Sequence, residues 1–149
     1  MRKVFWVFLF FLLMLSNTES MAQRRLPGGF ELGLRLGDTY GGSAALDAVL
    51  PIYGDRLHGN LSVNHNNLIV AGLYDWLFPV GNGFLFYPGV GGIMSIGDEV
   101  SIGVAGEVGF EYRFDIPLSI GLDWRPILGI VNADGFTADG FGLNIRYRF

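Results

Sequence analysis

The chain has 149 residues, half of them hydrophobic, with no cysteine and with 14 acidic residues against 10 basic ones. That length suits one domain rather than two. The lack of cysteine excludes a disulfide-stapled scaffold, and an acidic balance without a basic patch excludes nucleic acid as an expected partner.

Met1-Arg2-Lys3 gives a basic start, Val4 to Leu15 is apolar throughout, and Ser20-Met21-Ala22 sets small residues before Gln23. This is the pattern of a secretory signal peptide, so residues 1–22 are expected to be removed between Ala22 and Gln23. The apolar run is 12 residues long, short of the roughly 20 that a membrane-crossing helix needs. Residues 23–149 are then expected to form a single domain. The chain's only lysine, Lys3, leaves with the signal, so eight arginines face thirteen acids in what remains. Arginine is favoured where a planar, weakly hydrated cation pairs with carboxylates in a confined space, and the cations are therefore expected to point inward.

From Phe30 onward, segments of period two recur between turn signals, and eight can be counted. The first runs from Phe30 to Gly37, with Phe30, Leu32, Leu34 and Leu36 on one face and Glu31 and Arg35 on the other. After Asp38 to Gly42, Ala44, Leu46, Ala48 and Leu50 continue the apolar face, opposite Asp47. Pro51 to Asp55 is expected to turn the chain into a third segment, where Leu57, Gly59, Leu61 and Val63 alternate with His58, Asn60, Ser62 and Asn64. His65-Asn66-Asn67 leads to the fourth, carrying Leu68, Val70, Gly72, Tyr74 and Trp76 on its apolar face. The fifth spans Phe84 to about Met94 and holds Pro88 and Gly91-Gly92, which work against a ladder.

The sixth segment is the most regular. Val100, Ile102, Val104, Gly106, Val108, Phe110, Tyr112 and Phe114 alternate with Ser101, Gly103, Ala105, Glu107, Gly109, Glu111 and Arg113. The seventh sets Leu118, Ile120, Leu122 and Trp124 against Ser119, Gly121, Asp123 and Arg125. Pro126 to Gly140 is expected to be the largest loop. The last segment puts Phe141, Leu143, Ile145, Tyr147 and Phe149 opposite Gly142, Asn144, Arg146 and Arg148.

Such segments are those of an eight-stranded antiparallel up-and-down β-barrel with its apolar stripe toward lipid and its charges in the lumen, an outer-membrane fold. An even strand count brings both ends of the barrel to one side. Phe30, Trp76, Phe78, Phe84, Tyr112, Phe114, Tyr147 and Phe149 then fall on that rim, where aromatic rings favour a membrane interface, and Tyr40, Trp124, Phe136 and Phe141 lie toward the other. The rival arrangement is a soluble barrel with the apolar stripe turned inward around a ligand.

In this plan the chain resembles the small eight-stranded outer-membrane barrels of the OmpA/OmpX-like type, and the stretch from Glu111 to Pro126 resembles small barrels of Bacteroidetes. The resemblance implies insertion by the barrel-assembly machinery, read from the terminal strand formed by Phe141, Leu143, Ile145, Tyr147 and Phe149. The long extracellular loops of that family are mostly missing.

Eight strands enclose just enough room for side chains. Glu31, Arg35, Asp47, Glu107, Glu111, Arg113, Asp123, Arg125, Arg146 and Arg148 are expected to fill it as a charge network, with Glu31 or Arg35 meeting Arg146 or Arg148, and Glu107 and Glu111 meeting Arg125. The function expected is that of a structural, non-enzymatic component of the outer membrane, monomeric and in contact with its lipid. A narrow porin-like channel for small solutes is the alternative. An enzyme acting on envelope lipid rests only on His58 and Ser62, four residues apart on one face and about 13 Å from each other along a strand. No motif calls for a cofactor or a metal.

Overall fold

The computed structural model describes residues 29–40, 42–133 and 135–149, which hold strands and turns and no helix. The expected signal segment and its cleavage site at Ala22 and Gln23 lie outside the described residues.

The strands are β1 (Glu31–Gly37), β2 (Ala44–Ile52), β3 (Asp55–Asn64), β4 (Asn67–Asp75), β5 (Phe78–Gly81), β6 (Phe84–Ile96), β7 (Val100–Arg113), β8 (Leu118–Trp124), β9 (Ile127–Val131), β10 (Phe136–Thr137) and β11 (Phe141–Arg148). All pairings are antiparallel. The order β1, β2, β3, β4, β6, β7, β8, β11 and back to β1 closes a barrel of eight. Closure leaves no edge in that ring, which is how an all-antiparallel sheet without disulfides avoids open pairing groups.

The three remaining strands are continuations. β5 prolongs β4 along β6, and β9 prolongs β8 along β7, with β10 paired to β9. The segment expected to be the largest loop therefore holds two short strands. Prolines sit at both interruptions. Pro88 lies opposite the gap between β4 and β5, where its carbonyl accepts from the Trp76 N–H at 2.9 Å. Its missing N–H thus falls where the neighbouring strand is already broken, and β6 continues through it for 13 residues. Pro126 separates β8 from β9, and its carbonyl accepts from the Gly106 N–H at 2.9 Å.

The turns at the end holding Phe30 and Phe149 are short. Tyr53 and Gly54 have φ of 49° and 95°, and Asn82 and Gly83 have 53° and 83°. Two consecutive positive φ values match the twist of flanking strands. Strand pairing consequently reaches to Ile52 and restarts at Asp55, so the turn expected over Pro51 to Asp55 is only two residues long.

Side chains alternate across this wall with inverted polarity. Leu46, Leu122 and Phe110 are 53%, 64% and 57% exposed on the outside, whereas Asp47, Glu107 and Glu111 are buried inside. Aromatic rings meet on the outer face near the short turns, with Phe84–Tyr112 at 4.7 Å, Tyr112–Phe114 at 4.8 Å and Tyr147–Phe149 at 5.0 Å between centroids. Trp124 and Phe141 approach to 6.4 Å elsewhere. Tyr40 departs from the expected second belt, because it packs against an interior apolar cluster of Ile69, Ala71, Leu73, Ile93, Ala105 and Ile127.

Candidate functional site: the lumen charge network

Every strand of the closed ring sends a polar side chain into the lumen. Arg146 on β11 is the hub. Its Nη1 donates to Asp47 Oδ2 at 2.7 Å, its Nε donates to Glu31 Oε2 at 3.2 Å, and its Nη2 donates to Glu111 Oε2. The three acceptors come from β2, β1 and β7, so one guanidinium fork fastens the last strand to three others.

Glu111 also accepts from Arg56 Nη1 at 2.7 Å and from Arg113 Nε at 2.8 Å, and Arg113 Nη2 reaches Glu31 at 2.9 Å. Arg56 donates through Nε to Asp75 at 2.9 Å and lies over the Tyr87 ring at 4.1 Å from its centroid. Farther from the short turns, Arg125 Nη2 donates to Glu107 at 2.6 Å, and Arg35 grips Asp123 through Nη2 at 2.6 Å and Nε at 3.1 Å. Asn144 donates to Asp123 at 2.7 Å. All of these groups except half-buried Arg113 are buried, and a buried charge is tolerable only when paired and hydrogen-bonded.

Of the ten residues expected to form the network, nine make ion pairs with one another or with other lumen groups. Glu31 meets Arg146 and Glu107 meets Arg125, as the strand neighbourhoods suggested. Glu111 meets Arg56, Arg113 and Arg146 instead of Arg125. Arg148 stays apart from the carboxylates. It sits at the rim and donates to the Phe114 and Ile116 carbonyls at 2.7 and 2.9 Å, capping the turn between β7 and β8.

Three members escape a reading based on charge along the expected strands. Arg56 precedes the expected start of β3, yet it shares parity with His58, Asn60 and Ser62, which is the signal that would have found it. Asp75 ends the inner face of β4, whose other members, Ile69, Ala71 and Leu73, are apolar. His58 is fully buried, with Nε2 2.5 Å from Asp47 Oδ1, and with Nδ1 2.9 Å from Glu107 Oε2 and 3.2 Å from Asp75 Oδ2. Ser62 lies instead beside the interior cavity.

Comparisons with family models, curated proteins and solved structures returned no match. The chemistry of the site therefore rests on its own geometry.

Glycines set the packing around these groups. A Cβ on Gly109 would lie 2.2 Å from Tyr87 Cζ, and one on Gly142 would lie 2.5 Å from Arg35 Cζ. Large inward side chains thus occupy the room left by glycines on neighbouring strands. Beyond the network, the lumen holds a cavity of about 20 Å³ bordered by Arg125, Asn60, Ser62, Thr39 and Tyr40. That is the space of a single water molecule.

Proposed function

We propose that this protein is an outer-membrane β-barrel of the small eight-stranded type, a structural component of the envelope whose lumen is plugged by its own ion pairs. The observation that carries this reading is the inverted polarity of the wall. Soluble proteins rarely expose a continuous apolar surface beyond a few hundred Å², and here apolar side chains face outward around the barrel while charges are buried within it. Lipid is the solvent that makes this arrangement favourable. Aromatic clusters at the rim fit the interface between hydrocarbon and water, and β2, β3 and β4, of 9, 10 and 9 residues, suit a tilted crossing.

Plugging follows from the filled lumen. A solute would have to displace charge-assisted hydrogen bonds that are costly to leave unmade. Catalysis on lipid is disfavoured by the placement of His58, whose ring is fully buried and whose two nitrogens both face carboxylates. The barrel would reach the membrane as a monomer through the assembly machinery, with export directed by residues 1–22.

The test uses the refolded chain in detergent. An envelope barrel should require detergent for solubility and should change gel mobility on boiling. A plugged one should leave a planar bilayer silent. Solubility without detergent, with mobility unchanged by boiling, would overturn the membrane reading, and steady unitary currents would replace the plug with a narrow channel.

A further inference from the structure

Among the described residues, the lumen holds six carboxylates, those of Glu31, Asp47, Asp75, Glu107, Glu111 and Asp123, and five guanidiniums, those of buried Arg35, Arg56, Arg125 and Arg146 and of half-buried Arg113. Unbalanced charge is expensive away from water, so one further proton is needed among them, either on a carboxyl group or on a sixth cation.

His58 occupies the place where it is needed. Asp47 on β2 faces one ring nitrogen, while Asp75 on β4 and Glu107 on β7 converge on the other. The remaining charged or titratable neighbours are Arg146 on β11, 3.5 Å from Nε2, Tyr87 on β6, edge-on at 6.4 Å, and the arginines that share its acids, Arg56 with Asp75 and Arg125 with Glu107. A neutral imidazole has one N–H and one lone pair. With the three acids ionised, either tautomer would aim that lone pair at a carboxylate oxygen within hydrogen-bond distance, in a site with no exposed surface at the ring. An imidazolium donates at both nitrogens and satisfies both sides.

We propose that His58 is a resident imidazolium, the sixth cation of the lumen, and that the folded barrel carries this proton as a structural component. The inference rests on the lumen alone and holds whether the outer face meets lipid or another apolar environment. His58 acts here as a linking residue between strands β2, β3, β4 and β7.

Nitrogen NMR of the refolded chain tests it directly. The sequence has two histidines, and His65→Asn removes the other one at an exposed turn position with φ of 53° that asparagine tolerates. At about pH 8, where a solvated imidazole is neutral, His58 should show two protonated ring nitrogens with slowly exchanging N–H signals. One protonated and one bare nitrogen would place the proton on the Asp75–Glu107 pair and overturn the proposal. A second measurement compares urea midpoints in detergent. His58→Gln should lower the midpoint, and adding Asp75→Asn, which restores five charges of each sign, should recover at least half of the loss. A His58→Gln midpoint equal to that of the parent, or a double variant weaker than the single one, would also count against it.

Discussion

Arg146 and Asp47 stand 2.7 Å apart in the lumen although 99 positions separate them in the chain. The contact joins the last strand to the second, and it forms only when β11 has docked beside β1. Arg146→Ala would leave Asp47, Glu31 and Glu111 each short of a donor. A loss of about 3–5 kcal/mol is expected, the scale found when one partner of a buried pair is removed. Arg146→Lys should recover only part of it, because a point charge cannot reproduce a three-way fork. Urea unfolding in detergent measures both.

The glycines divide into two kinds, and alanine substitution separates them. At Gly142 a Cβ would press on the Arg35 guanidinium, whereas at Gly72 it would meet nothing within 4 Å. Gly142→Ala should cost about 1–3 kcal/mol through overpacking. Gly72→Ala should be neutral or stabilising by about 0.5–1 kcal/mol, because the strand sheds glycine's conformational freedom. Equal effects at the two sites would contradict this account of the lumen.

Tyr53 holds φ of 49° beside Gly54 at 95°, in a turn geometry that favours Asn-Gly. Its ring is fully exposed and its side chain is free of packing. Tyr53→Asn should therefore stabilise the β2–β3 hairpin by about 0.5–1 kcal/mol, read as a higher urea midpoint, and Gly54→Val should lower it.

The aromatic end of β11 carries the assembly expectation. Phe149 contacts Phe30 at 5.8 Å and Tyr147 at 5.0 Å between ring centroids. Phe149→Ala with Tyr147→Ala should reduce the amount of barrel recovered in outer-membrane fractions while the refolded variant keeps its strand content by circular dichroism. Undiminished recovery would remove the terminal strand from the targeting step.

Much of this architecture is written locally. Period-two alternation from Val100 to Arg113 specifies one strand whose two faces meet opposite environments, and the same rule gives eight wall segments and the side on which Glu107 or Arg146 lies. What alternation lacks is register. Glu111 meets Arg146 and Arg56 rather than Arg125 because shear in a closed barrel decides which inward residues share a level, and no single strand records that number. Tyr40 illustrates a second limit. Its neighbours read as a loop beside an outer rim, but a loop ring goes to whatever apolar space is open, here the cluster around Ile69 and Ile93. Arg148 shows a third, since parity places a side chain on a face without fixing how far from the rim its long stem carries the charge.

Tyr87 and Gly109 together mark the point where an aperture could be cut. The phenol lies over Gly109 on β7, which contributes no side chain, and Arg56 covers its other face, so Tyr87→Gly would leave two facing glycines and a gap bordered by Arg56 and Asn144. A protein engineer seeking a narrow conduit in so small a tube would begin at that pair, sparing every ion pair that holds the wall together.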